Sequence, residues 1–173
     1  NHTFLPTYPY DKQHICAELT FEFENTAPIA VNGDPLLGQR IESPLLQGAC
    51  IYQRLFNEQE PKFMPEHVIF DKPISPAAGH MSMLISMMKK NNKNAKSCRL
   101  SAAEFRAPLA VDTDETRVVQ FCQTKPDASR TSEVSIVSQS DNSEWLTHMV
   151  SKAEVSDEYA VPEEAFDVSV AEK

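Results

Sequence analysis

The hydrophobic periodicity of this chain changes character twice, and the order of those changes restricts the fold more than any single residue does. In residues 49–56, Ala49, Ile51 and Leu55 interleave with Cys50, Tyr52, Arg54 and Phe56, a pattern that suits a buried strand. A proline-punctuated stretch from Pro61 to Pro76 follows. From Ala77 the apolar positions Met81, Leu84, Ile85 and Met88 recur at three- and four-residue spacing until Lys89-Lys90-Asn91-Asn92 ends them, which predicts one short, mostly buried helix. Four strand-type stretches come next: Cys98 to Leu109, Thr116 to Thr124, Glu133 to Ser138 and Glu144 to Val155. They are parted by the turn-forming clusters VDTDE, KPDAS and SQSDNS. A strand, one apolar helix and then a run of antiparallel strands predict an α+β architecture with a sheet wrapped about the helix, not a parallel α/β fold.

The flanks differ from this central part. Residues 1–31 hold Pro6, Pro9 and Pro28 and an alternating FEFEN segment but no helical apolar stripe, and they read as a linker lying on a surface. Residues 156–173 carry Asp157, Glu158, Glu163, Glu164, Asp167 and Glu172 against one lysine, which predicts a solvated acidic tail or a second linker. The globular part is therefore expected over residues 32–155.

Composition narrows the function classes. With 173 residues, 41% hydrophobic and 24% charged, the chain is long and apolar enough for one domain with its own core. Its formal charge of -9 repels phosphate backbones and anionic lipid, so neither a nucleic acid nor a membrane is an expected partner. The longest apolar run free of charge and proline, Ala77 to Met88, falls short of the roughly 20 residues of a membrane span. Cys16, Cys50, Cys98 and Cys122 form no CxxC pair and no metal-ligand spacing with histidine, which fits a reduced, cytoplasmic setting. The opening NHTFLPTYPY lacks the basic and apolar regions of a secretory signal and begins as a fragment would. Without GxGxxG, a P-loop or GxSxG, no dinucleotide, nucleotide or serine-hydrolase chemistry has a motif to stand on, and no cofactor is expected.

Among five histidines, His67 stands apart in the apolar, proline-rich segment Met64-Pro65-Glu66-His67-Val68-Ile69-Phe70. Nine residues on, Pro76 opens the helix, where its fixed φ and missing N–H cost nothing. The free amides of the first turn, from about Ala77 to His80, then face whatever lies beside His67. An imidazole beside amide donors suits removal of a proton from the carbon next to a thioester, the amides holding the developing enolate oxygen. A packed or solvated structural histidine is the alternative.

The stretches Asp34-Pro35-Leu36-Leu37-Gly38, Ile41-Glu42-Ser43-Pro44 and His67 through Pro76 to Met88 resemble the first half of a modular polyketide synthase dehydratase domain. In that family the catalytic histidine lies in an HxxxGxxxxP motif ahead of the central helix of a hot-dog fold. His67 and Pro76 match it, and Asp71 stands at the glycine position. The opening Phe4-Leu5-Pro6-Thr7-Tyr8-Pro9-Tyr10 resembles a post-acyltransferase linker, and Trp145-Leu146-Thr147-His148 resembles the last strand of the first hot dog. The resemblance implies one half of a double hot dog acting on a β-hydroxyacyl thioester carried by the phosphopantetheine arm of an acyl carrier protein. His67 would be the base, with Pro76, Ala78, Gly79 and Asp71 at the substrate. The family's acid is an aspartate on the helix of a second hot dog, and after Val155 this chain has no second helix and no DxxxQ or DxxxH. A second hot-dog half, or self-association, is thus implied as partner.

Two other readings compete: a non-catalytic pseudo-dehydratase with a structural or dimerising role, and a dehydratase-like isomerase or cyclase that uses His67 without eliminating water. Asp71 would either narrow the pocket or simply occupy a surface turn. His80 could line the pocket from the first helical turn, whereas His148 falls in a predicted strand and His2 and His14 in the linker. Cys50 and Cys122, and the helix methionines Met81, Met83, Met87 and Met88, read as core. Lys89, Lys90, Lys93, Lys96 and Arg99 would either dock an acidic carrier protein or favourably end the helix.

Overall fold

A computed structural model describes residues 19–22, 33–139 and 144–159. Among these described residues, nine strands and one α-helix follow in the order β1 (Leu19–Glu22), β2 (Gln39–Ile41), β3 (Cys50–Phe56), β4 (Val68–Ile69), β5 (Lys72–Pro73), α1 (Ala77–Asn91), β6 (Ser97–Phe105), β7 (Arg117–Gln123), β8 (Thr131–Gln139) and β9 (Trp145–Ser156). Seven strands form one sheet in the order β1-β6-β9-β8-β7-β3-β2, and β4 and β5 form a separate hairpin. The helix packs against β6, β7, β8 and β9, so the α+β fold is a sheet curled about one helix, the hot-dog arrangement.

Alternation of side chains builds the core. Cys50, Tyr52 and Phe56 of β3, Val119 and Phe121 of β7, Val134 and Ile136 of β8, and Met149, Ala153 and Val155 of β9 are buried on one face of the sheet. Met83, Leu84, Met87 and Met88 of α1 fill the space opposite them. Each Val, Leu, Ile, Phe or Met side chain among them, once withdrawn from water, contributes about 1.5–3 kcal/mol.

The helix runs three residues past Met88, because Asn91 is anchored to the sheet. Its Oδ1 accepts from the Tyr52 hydroxyl at 3.1 Å and from Cys50 Sγ at 3.4 Å, while its Nδ2 donates to Gln123 Oε1 at 2.6 Å. The backbone N–H and the side chain of Asn92 both donate to the Met88 carbonyl, at 3.1 and 2.9 Å, and close the last turn. Lys90 reaches Asp34 at 2.7 Å.

That contact explains the DPLLG segment. Asp34 and Gly38 exchange backbone hydrogen bonds at 2.7 and 2.8 Å, and Asp34 Oδ1 accepts from the amides of Leu36 and Leu37, both at 2.8 Å. The result is a closed turn that inserts Leu37 into the core. Burial alone would raise the Asp34 carboxyl, but the Lys90 pair and the two amides outweigh it and hold the group below its ordinary value. Gly38 has φ +76, and a Cβ there would overlap the Gln53 carbonyl oxygen and approach the Arg54 Cβ at 2.9 Å.

Several features differ from the sequence reading. Leu19–Glu22, inside the expected linker, pairs with β6, and the rest of 1–31 lies outside the described residues, as does 160–173 of the expected tail. β6 ends at Phe105 rather than Leu109, since residues 106–109 leave the strand and the Leu109 carbonyl accepts from the Ser75 amide at 2.8 Å. Pro76 is the N-cap, with φ -69 and ψ 151, so helical residues begin at Ala77. Among the described residues no helix is long and apolar enough to cross a membrane.

Candidate functional site

The β4–β5 hairpin assembles the site. Val68 pairs with Pro73 and Ile69 with Lys72, which leaves Phe70 and Asp71 as a two-residue turn. Both turn residues have positive φ, 51 and 61, as tight hairpin turns require. One step further along the hairpin His67 stands opposite Ile74, whose N–H donates to the His67 carbonyl at 3.0 Å. A separation of nine residues in sequence thereby brings His67 beside the residue that lies two before Pro76.

His67 Nδ1 is 2.6 Å from the Ile74 carbonyl oxygen. A carbonyl can only accept, so in the neutral ring Nδ1 carries the proton and Nε2 keeps the lone pair. The backbone of its own hairpin therefore sets the tautomer and plane of this imidazole, a role that carboxylates fill elsewhere.

The helix start next to Ile74 and Ser75 is uncapped by any side chain. The His80 amide is the first to find a helical acceptor, the Pro76 carbonyl at 3.1 Å. The amides of Ala77, Ala78 and Gly79 have none within the helix. Ala77 and Ala78 are exposed and Gly79 half-buried, so the donors belong to residues with small side chains or none. Phe63 closes one flank: a Cβ on Gly79 would meet its ring at 3.5 Å and Pro76 Cγ at 3.4 Å. A groove of about 660 Å³ runs along this flank, with Pro35, Leu36, Pro61 and Phe63 as its apolar wall and Glu66, the neighbour of His67, at its edge.

Asp71 occupies the exposed hairpin tip, roughly 10 Å along the strands from His67 at about 3.3 Å per residue. The glycine position of the motif is thus a left-handed turn position, which aspartate tolerates better than most residues. Phe70 beside it is 94% exposed.

The remaining candidates disperse. His80 points inward, 2% exposed, its ring stacked on Phe105 at 6.2 Å. His148 is buried on β9, where Nδ1 donates to the Ala107 carbonyl at 3.2 Å and Nε2 accepts from the Ser138 hydroxyl at 2.7 Å. His2 and His14 lie outside the described residues. Burial pushes the Cys98 thiol up to about 12 and raises that of Cys122, which makes both poor nucleophiles. Lys90 is committed to Asp34, and Lys96 lies over the Tyr159 ring at 5.2 Å. Sequence reasoning missed the Ile74 carbonyl as the group that orients His67. The turn-forming Phe-Asp-Lys-Pro run between His67 and Ile74 was the available signal.

Residues 34–139 match the sequence profile of the polyketide synthase dehydratase domain. The chain belongs to that family and forms its N-terminal hot-dog half. Among solved structures it is similar to the dehydratase domain from the CurK module of curacin polyketide synthase, with TM-score 0.68 and 17% identity over 80% of this chain and 47% of that one. It is similar also to the dehydratase from the terminal module of the rifamycin polyketide synthase, with TM-score 0.64, 19% identity and coverage of 80% and 49%. A trans-AT dehydratase domain from Brevibacillus brevis gives TM-score 0.65, 20% identity and coverage of 79% and 47%. The chain spans about half the length of the dehydratase domains it matches. For CurK, one aspartate-to-asparagine variant and one histidine-to-phenylalanine variant are both described as inactive. A comparison with curated proteins found no match.

Proposed function

We propose that this chain supplies the base half of a dehydratase acting on β-hydroxyacyl thioesters held on the phosphopantetheine arm of an acyl carrier protein. His67 Nε2 takes the α proton while the amides of Ala77, Ala78 and Gly79 hold the thioester oxygen as it gains charge. The electron pair of the broken C–H bond forms the Cα–Cβ double bond, the Cβ–O bond breaks, and the hydroxyl leaves as water with a proton from a general acid. A second hot-dog half provides that acid, an aspartate, since no DxxxQ or DxxxH occurs in this sequence. The inactive aspartate and histidine variants of CurK support a division of labour between two groups. The observation that supports the reading is the 2.6 Å bond from His67 Nδ1 to the Ile74 carbonyl, which leaves the lone pair on Nε2 and ties the ring to a residue two before the N-cap Pro76.

The test incubates a β-hydroxyacyl thioester with this chain, alone and joined to the segment that follows it in its multienzyme. Water loss only in the joined protein, abolished by His67→Ala, is the expected result. No turnover by the joined, folded protein would instead favour a pseudo-dehydratase with a structural role. Migration of the double bond without water loss would favour the isomerase reading.

A further inference from the structure

Beneath the first turn of α1 lie polar side-chain atoms that the protein itself leaves unpaired. Ser75 Oγ and both ring nitrogens of His80 are buried without a hydrogen-bond partner, the residues being 5% and 2% exposed. A buried donor or acceptor left unmade is costly, and native folds rarely keep three together. One segment, residues 105–109, contacts both residues: the Phe105 ring stacks on His80, and the Leu109 carbonyl accepts from the Ser75 amide.

A β-bulge brings a third polar residue to the same place. Between the pairs Ile136–Met149 and Val137–Thr147, β9 has one residue more than β8, and that residue is His148. The bulge breaks the alternation, so His148 and Met149 are both buried. Met149 is paired with Phe105, and His148 binds the Ala107 carbonyl. With its own nitrogens satisfied, His148 leaves the open hydrogen-bonding capacity to Ser75 and His80.

We propose that Ser75 and His80 form a polar subsite for a neutral oxygen function, a hydroxyl or a ketone, on the acyl chain beyond its reacting carbons. The inference rests on the thioester reading above. Ser75 adjoins Ile74, the residue that orients His67, and His80 is three residues into the helix from Ala77, about 5 Å along its axis. In the proposed pose the acyl chain runs from the helix amides along the first turn, which sets its δ position level with His80. A neutral imidazole offers one donor and one acceptor, and a serine hydroxyl offers both, a set that matches an alcohol or ketone rather than an ion. Burial, with His148 close by, keeps His80 neutral by pushing it down to about 4. Phe105, half exposed, covers the imidazole and is the side chain that has to turn aside.

The test uses this chain with ¹⁵N-labelled histidine and two N-acetylcysteamine thioesters, a β-hydroxyacyl chain and its β,δ-dihydroxy counterpart. The His67 ring signals should move with both probes, and those of His80 only with the δ-hydroxylated one, which should bind about five- to tenfold more tightly. That advantage should vanish in His80→Phe, which retains the aromatic stack, and fall in Ser75→Ala. Equal affinities with His67 responding to both probes and His80 silent would overturn the subsite and leave the thioester reading standing. Silence of both rings would overturn the two together.

Discussion

The Nδ1 of His67 donates to the carbonyl of Ile74 at 2.6 Å, across a hairpin whose turn is Phe70-Asp71. Two short strands thus do for this imidazole what a carboxylate partner commonly does: they choose its tautomer and fix its plane. Because the acceptor is backbone, no side-chain substitution at Ile74 removes it.

The tautomer can be read directly. Nitrogen shifts of the neutral His67 ring should show a protonated Nδ1 and a bare Nε2, and His67→Ala in the joined protein should lower dehydration by about 10²–10⁴-fold without unfolding it. A proton on Nε2 in the neutral ring would remove the proposed base.

Gly38 tests the turn that seats Leu37. An added Cβ would overlap the Gln53 carbonyl, and φ is +76, so Gly38→Ala combines a backbone clash with a left-handed penalty. A loss of about 2–4 kcal/mol in denaturant unfolding is expected. A change below about 0.5 kcal/mol would mean that the DPLLG turn is not a structural constraint.

Asp34 and Lys90 should not be equal partners. Asp34, nearly buried, binds two amides besides the lysine, whereas Lys90 is 42% exposed and contributes only the ion pair. Asp34→Ala should cost about 2 kcal/mol, and Lys90→Ala under about 1 kcal/mol. Equal losses in thermal unfolding would assign the stability to the ion pair and not to the turn.

Acid should weaken the fold through its buried histidines. Burial first, then His148, lowers His80 to about 4. Burial also lowers His148, opposed by the Ala107 carbonyl and assisted by Arg117. In the unfolded chain both rings titrate near 6.5, so between about 6.5 and 4 the unfolded state binds protons that the folded state refuses. Stability therefore falls as pH drops through this window, by on the order of 3 kcal/mol from His80 alone. Urea midpoints across the window should slope less in His80→Phe, and an unchanged slope would show that His80 is not responsible.

Elements long enough to display a period were legible: β3, α1 and the strands β6 to β9 all follow from spacing of two or of three and four. β2, β4 and β5 have three residues or fewer, too short for a pattern, and Pro73 argues against a strand. Their pairing partners, not their composition, make them strands. Of the site, the His67 to Pro76 spacing was legible and the acceptor of Nδ1 was not, since it exists only once the hairpin has closed.

Sequence alone determined that a sheet surrounds one helix and that a histidine precedes that helix, because periodicity and turn chemistry act over a few neighbouring residues. Tertiary structure decided which nitrogen of His67 keeps its lone pair, why residue 38 admits no side chain, and that a bulge on β9 buries His148. Register, close approach and burial arise between segments tens of residues apart, and no local pattern encodes where those segments meet.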